Sequence, residues 1–197
     1  MTKKEAIWRE ILRRAIEDNQ IEFTQKELAE KFHVSTSTVF NALKNLRETG
    51  AVEVSGRNFS VRDTEKFLYL FATKKNFKKN IAYKTSVAAS APEIEGKMPG
   101  GAIFTAYSAF VKKYKDAPAD YDKVYVYADE KTLAEIKERF PKKRGRENLF
   151  VLKMDPVIRN SLELTSDIEI FSDLWNLEDW YAKDFLEALK QKIFKFS

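Results

Sequence analysis

The 197-residue chain is 44% hydrophobic and 33% charged, which suits a globular protein of one large or two small domains. It has no cysteine and a single histidine, His33, so disulfides, thiol catalysis, cysteine-ligated zinc and multi-histidine metal sites are excluded. The net charge of +5 is uneven: residues 1–90 hold 17 Lys/Arg against 11 Asp/Glu, and residues 91–197 hold 18 against 19, the asymmetry expected if the N-terminal part meets nucleic acid.

Residues 5–18 read as a first helix, because Ile7, Trp8, Ile11, Leu12, Ala15 and Ile16 form one apolar stripe. Arg9, Arg13 and Arg14 lie off that stripe, on a solvated face or beside DNA. Residues 19–22 read as a turn. Thr24 followed by Glu27 predicts a capping box, and Leu28, Ala29 and Phe32 continue one helical face to about His33. His33 itself reads as a partly packed turn residue. Ser35 caps a second helix, whose Val39, Leu43 and Leu46 recur at i, i+4 and i+7. Two short helices joined by so tight a turn predict a helix-turn-helix. Thr49 and Gly50 end it. Residues 51–54 alternate as a strand, 55–58 form a turn and 59–61 a returning strand, the order of a winged helix.

Burying Val39, Leu43 and Leu46 leaves Thr36, Ser37, Phe40, Asn41 and Lys44 facing outward, with Ser35 and Thr38 beside them. No acid precedes Glu48 in this helix. Hydroxyls and Asn pair with base edges, Phe40 suits a thymine methyl, and Lys44 suits a phosphate. Arg57 and Asn58 occupy the wing tip. The candidate site for double-stranded DNA is therefore Ser35, Thr36, Ser37, Thr38, Phe40, Asn41, Lys44, Arg57 and Asn58. A structural winged helix used for protein contacts is the alternative.

Past the wing, Asp63, Thr64 and Glu65 cap a helix over residues 66–75, read as a connection between domains. A basic run, residues 74–79, surrounds Phe77. The expected division is residues 1–62 as the winged helix-turn-helix, 63–80 as connecting helix and basic linker, and 81–197 as a C-terminal α/β domain with a small sheet. Within the latter, 81–87 reads as a strand, 88–92 as flexible, 99–101 as a sharp break and 102–114 as a helix. Strand 123–128, helix 131–140, exposed basic loop 141–146 and strand 148–154 predict a parallel βαβ unit. A segment over 166–171 leads to Asp173, Leu174 and Trp175, read as a helix start. A last helix runs over 180–194. Trp175, Trp180, Tyr181 and Phe185 are either core or a partner surface.

The order of these pieces carries a resemblance. Residues 99–110 (Pro-Gly-Gly-Ala-Ile-Phe-Thr-Ala-Tyr-Ser-Ala-Phe), 121–129 (Tyr-Asp-Lys-Val-Tyr-Val-Tyr-Ala-Asp) and 170–185, with Asp-Leu-Trp at 173–175, follow a short winged helix. Together they resemble the AbiEi-type antitoxins and transcriptional regulators of type IV toxin–antitoxin systems, over most of the chain. That resemblance implies an N-terminal domain that represses its own operon. It also implies a C-terminal domain that antagonises a nucleotidyltransferase-like toxin. A stand-alone regulator of the same architecture fits the same residues.

The acidic residues offer an enzymatic alternative. Asp120, Asp122, Asp129 and Glu130 cluster around a strand and Glu95-Gly96-Lys97 is a Glu-x-Lys triplet, but the triplet precedes the acids and sits beside a Gly/Pro break. Gly100 and Gly101 are followed by no pair of alternating acids. No phosphate-binding loop or nucleophile elbow is present, and Ser108 has no histidine to activate it. The expectation is a DNA-binding regulator without catalysis, cofactor or metal; a nuclease or nucleotidyltransferase using the winged helix to deliver substrate is the alternative. No apolar run approaches the roughly 18 residues of a membrane helix, and residues 1–5 lack the apolar core of a signal peptide, so a cytoplasmic protein away from membranes is expected.

Overall fold

The computed structural model describes residues 2–155, 158–161 and 163–194. The chain is a mixed α/β protein of two compact units, Met1–Lys75 and Asn76–Ser197.

In the first unit, α1 (Lys3–Glu17) opens on a capping box between Thr2 and Glu5 and buries Ile7, Trp8, Ile11 and Leu12 completely. It is followed by β1 (Glu22–Thr24), α2 (Gln25–Phe32), α3 (Thr36–Ala42), α4 (Lys44–Glu48), β2 (Val52–Ser55), β3 (Asn58–Val61) and α5 (Thr64–Ala72). The hairpin β2–β3 closes through Gly56 and Arg57, with Ser55 opposite Asn58; Gly56 takes φ 61°, which glycine adopts without a Cβ penalty. The turn expected over 19–22 gives way at Glu22 to β1, which pairs antiparallel with β3 and stacks Phe23 on Phe59 at 5.3 Å. The sheet order is β1-β3-β2. Three residues are too few for periodicity to show, and pairing with a distant strand makes them a strand.

Thr24 Oγ1 accepts the Glu27 N–H at 3.1 Å, so half of the expected capping box forms. The Glu27 carboxylate instead accepts from Arg14 at 3.2 Å, which fastens α2 to α1. The expected second helix is two pieces, its ladder interrupted at Leu43 (φ −77°, ψ −8°). Val39, Leu43 and Leu46 are nonetheless all fully buried. His33 ends α2 in the left-handed region, φ 51° and ψ 50°, with its side chain exposed. A side chain there costs about 1 kcal/mol that glycine avoids. His33→Gly should therefore stabilise the first unit by about 0.5–1 kcal/mol, read from thermal unfolding.

The segment expected as a connector divides. α5 belongs to the first unit and packs on α1, with the Phe67 ring edge-on to Trp8 at 5.6 Å. α6 (Phe77–Asn80) belongs to the second unit, where Phe77 is buried.

The second unit continues with β4 (Ile81–Thr85), α7 (Ala91–Gly96), β5 (Ile103–Thr105), α8 (Ala106–Tyr114), β6 (Val124–Ala128), α9 (Glu130–Arg139), β7 (Leu149–Lys153), a short 3-10 turn (Ile158–Asn160), α10 (Asp167–Trp175) and α11 (Ala182–Phe194). The expected βαβ unit is present: β6 and β7 are parallel and α9 connects them. β4 and β5 pair antiparallel on either side, in the order β4-β7-β6-β5. The helix expected over 102–114 is a correction. Ile103, Phe104 and Thr105 extend against β6, and the chain turns into α8 at Ala106, whose φ is 50°. The stretch expected to be flexible, 88–92, already contains the start of α7. Asp173, Leu174 and Trp175 close α10 rather than opening a helix, and the last helix begins at Ala182.

Polar groups tie the sheet to its helices. Asp173, fully buried, accepts hydrogen bonds from Thr105 Oγ1 at 2.5 Å and Tyr127 OH at 2.9 Å. Asp179 accepts from Tyr107 OH at 3.0 Å and from Lys123. Burial, with the Asp179 charge nearby, pushes the Tyr107 and Tyr125 hydroxyls well above the usual tyrosine range, so both stay protonated donors.

Candidate nucleic-acid interface

The interface begins with a helix held rigidly from behind. Trp8, fully buried on α1, donates its indole N–H to the Ala42 carbonyl at the end of α3, at 2.8 Å. With Val39, Leu43 and Leu46 buried, that bond fixes α3 on the core.

The outward face then follows. Ser35, Thr36, Ser37, Phe40, Asn41 and Lys44 are exposed, and Thr38 is half-buried. Ser35 caps α3: its Oγ accepts the Thr38 N–H at 3.1 Å and lies 2.9 Å from the Thr38 hydroxyl. These two hydroxyls are engaged with each other, so Thr36, Ser37 and Asn41 carry most of the free polar surface. Lys44 lies 3.9 Å from Glu48, an exposed pair of small energy.

Arg57 and Asn58 are exposed at the wing tip, as expected. What holds the tip is Gln25 on α2. Its backbone N–H donates to the Arg57 carbonyl at 3.0 Å, and its side-chain amide donates to the Gly56 carbonyl at 3.2 Å. A groove of about 730 Å³ separates helix from wing, lined by Phe40, Arg47, Val52, Val54 and Arg62 among others. Arg47 lies over the Phe40 ring at 3.8 Å, a cation–π contact that orients its guanidinium. Glu53, the acid in this groove, is paired with Arg62.

Sequence reasoning missed Arg47 and Gln25. Arg47 stands seven residues beyond Phe40, two helical turns along the same face, so its spacing was legible. Gln25 was not, because its partner lies across the chain on the wing.

Arg13 and Arg14 are engaged within the fold. Glu10 receives Arg14 at 2.6 Å and Lys31 at 2.6 Å, joining α1 to α2, and Arg13 also reaches Asp18 at 3.1 Å. Burial would raise the Glu10 carboxyl, but hydrogen bonds from Lys31, Arg14 and Arg13 outweigh it and hold it at about 2, down from 4.5. A lowered folded-state value gives stability that is present above the unfolded value and lost as pH falls through the folded one. The first unit should lose on the order of 2 kcal/mol between about pH 4.5 and pH 2. Glu10→Gln should flatten that dependence, read as urea midpoints against pH.

Asp122 and Asp129, two of the four acids around β6, are engaged structurally. Asp122 accepts Tyr181 OH at 2.7 Å and pairs with Arg146, and Asp129 caps α9 through the Thr132 N–H at 2.9 Å. Among the described residues no group of three acidic or histidine side chains is placed to hold a metal ion. Of the C-terminal aromatics, Tyr181 and Phe185 are buried, whereas Trp175 and Trp180 are 43% and 75% exposed. Among the described residues no helix is long and apolar enough to cross a membrane.

A family model described as an HTH domain matches residues 7–58, from the second turn of α1 to the start of β3. No curated protein matches the chain. The N-terminal unit thus contains a helix-turn-helix domain of the DNA-binding kind.

Proposed function

We propose that this helix-turn-helix protein is a sequence-specific transcriptional regulator. The observation that carries this reading is the exposed hydroxyl-and-amide face of α3 (Thr36, Ser37 and Asn41), seated on three fully buried aliphatics. Such a face offers donors and acceptors to base edges in a major groove, and Lys44, Arg47 and Arg57 offer charge to phosphates. The finer reading is the antitoxin and autorepressor of a type IV toxin–antitoxin pair, cytoplasmic and without catalysis, with the second unit acting against a nucleotidyltransferase-like toxin. Its support is the order of segments 99–110, 121–129 and 170–185.

A mobility-shift titration on the DNA upstream of the chain's own coding region tests the regulator. Binding that resists excess random DNA is expected; equal affinity for random DNA would sink sequence specificity. Co-expression with a neighbouring nucleotidyltransferase-like protein tests the antitoxin role: relief of growth arrest is expected, and undiminished arrest would sink it. Arg47→Ala should weaken binding about equally across DNA sequences and reduce the salt slope by about one. A change in base preference would instead make Arg47 a base reader.

A further inference from the structure

One face of the second unit's sheet is only partly roofed. The register aligns Thr105, Tyr125, Phe150 and Lys84 in a single row across β5, β6, β7 and β4. Exposure rises along the row: Thr105 is fully buried, Tyr125 is buried, Phe150 is half-buried and Lys84 is exposed. α8 and α10 cover the β5 end, where Asp173 grips Thr105. At the β7–β4 end lies a cavity of about 400 Å³, walled by α6 and residues 176–179.

The contents of this cavity are selective. Its floor is aromatic: Phe150 stacks on Tyr125 at 4.7 Å with a 16° tilt, and Phe77 meets Tyr125 edge-on at 5.7 Å. Its charge is positive in excess. Lys123 is held by Asp179, but Lys84 shares the single Glu147 carboxylate with Lys142, at 2.8 and 3.2 Å. Lys78 and Glu178, from facing walls, form an exposed pair of small energy that a competing anion can displace. Phe150, half-buried and stacked on Tyr125 on its other side, offers a flat ring a packing surface, and an attached anion has Lys84 and Lys78 at the edge. The volume suits one small molecule.

We infer that this cleft binds a small planar aromatic ring bearing an anionic group. Nucleoside monophosphates and aromatic carboxylates both carry that chemistry. Calorimetric titration of the full chain with AMP, UMP, salicylate, adenosine and inorganic phosphate distinguishes the sources. At least one aromatic anion should bind saturably. Inorganic phosphate should not, and where a nucleotide binds, adenosine should bind at least about fivefold more weakly than AMP. Phe150→Ala should weaken binding about tenfold, the loss expected of one stacking surface. Lys84→Gln, at an exposed position that leaves folding intact, should weaken it at least about threefold. Failure of every aromatic anion to bind at millimolar concentration overturns the inference. So does phosphate binding as tightly as the aromatic anions, or binding unchanged in both variants.

Discussion

Replacing Asn41 and Lys44 together by alanine should weaken operator binding between about tenfold and several hundredfold. A side chain that pairs with a base edge discriminates by about 1–3 kcal/mol, and the lost phosphate contact adds a smaller, sequence-independent share. Both side chains are exposed and neither supports the core. Lys44 lies 3.9 Å from Glu48 in an exposed pair of small energy, so stability should change by less than about 0.5 kcal/mol. The single variants separate the two roles. Asn41→Ala should relax discrimination at one base position with little change in salt dependence. Lys44→Ala should lower affinity for all sequences and lower the salt slope by about one. Quantitative mobility shifts at two salt concentrations read both effects. Unchanged affinity in the double variant, with unfolding also unchanged, would show that α3 is not the reading element.

Asp173→Ala should destabilise the second unit by roughly 3–5 kcal/mol. The carboxylate is fully buried and accepts from Thr105 and Tyr127, and each buried hydroxyl left without its acceptor costs about 1–3 kcal/mol. Thr165 also reaches Thr105 at 3.1 Å, so the loss propagates to the segment bonded along β5. Asp173→Asn keeps the volume and one acceptor and should cost less. Urea unfolding followed by hydrogen exchange of the β6 and α10 amides would show the loss in the second unit, while amides of α1 and α3 keep their protection. Equal loss of protection in both units would mean that they unfold as one, and the effect could not then be assigned to this network.

The contrast between these two predictions follows how each region is encoded. The recognition helix is local: Ser35 caps it, Val39, Leu43 and Leu46 recur at helical spacing, and the residues left over are the exposed ones. A helix is made of contacts three and four residues apart, so its exposed face can be read from a short window. The same holds for Arg57 in the two-residue turn, for Asn58 beside it at the start of β3, and for the alternating strand, helix and strand from 124 to 153. The Asp173 network joins residues 46 and 68 positions apart, and no window of sequence contains it. The motif containing Asp173 was legible as Asp-Leu-Trp. Its place at the end of α10, with Leu174 buried and Trp175 exposed, was not, because helix ends are set by what the neighbouring chain caps and covers.

Sequence alone thus determined the helix-turn-helix, its wing, the parallel βαβ unit and the outward residues of α3, all of which rest on spacing and turn chemistry. Tertiary structure decided the rest: that Glu22–Thr24 and Ile103–Thr105 are strands, that α5 packs with the first unit, that Gln25 holds the wing and that Arg47 lies on Phe40. A short strand has no internal hydrogen bonds and is stabilised only by its partner. A side chain's role likewise depends on which distant surface folds against it, and that is settled when the chain closes on itself.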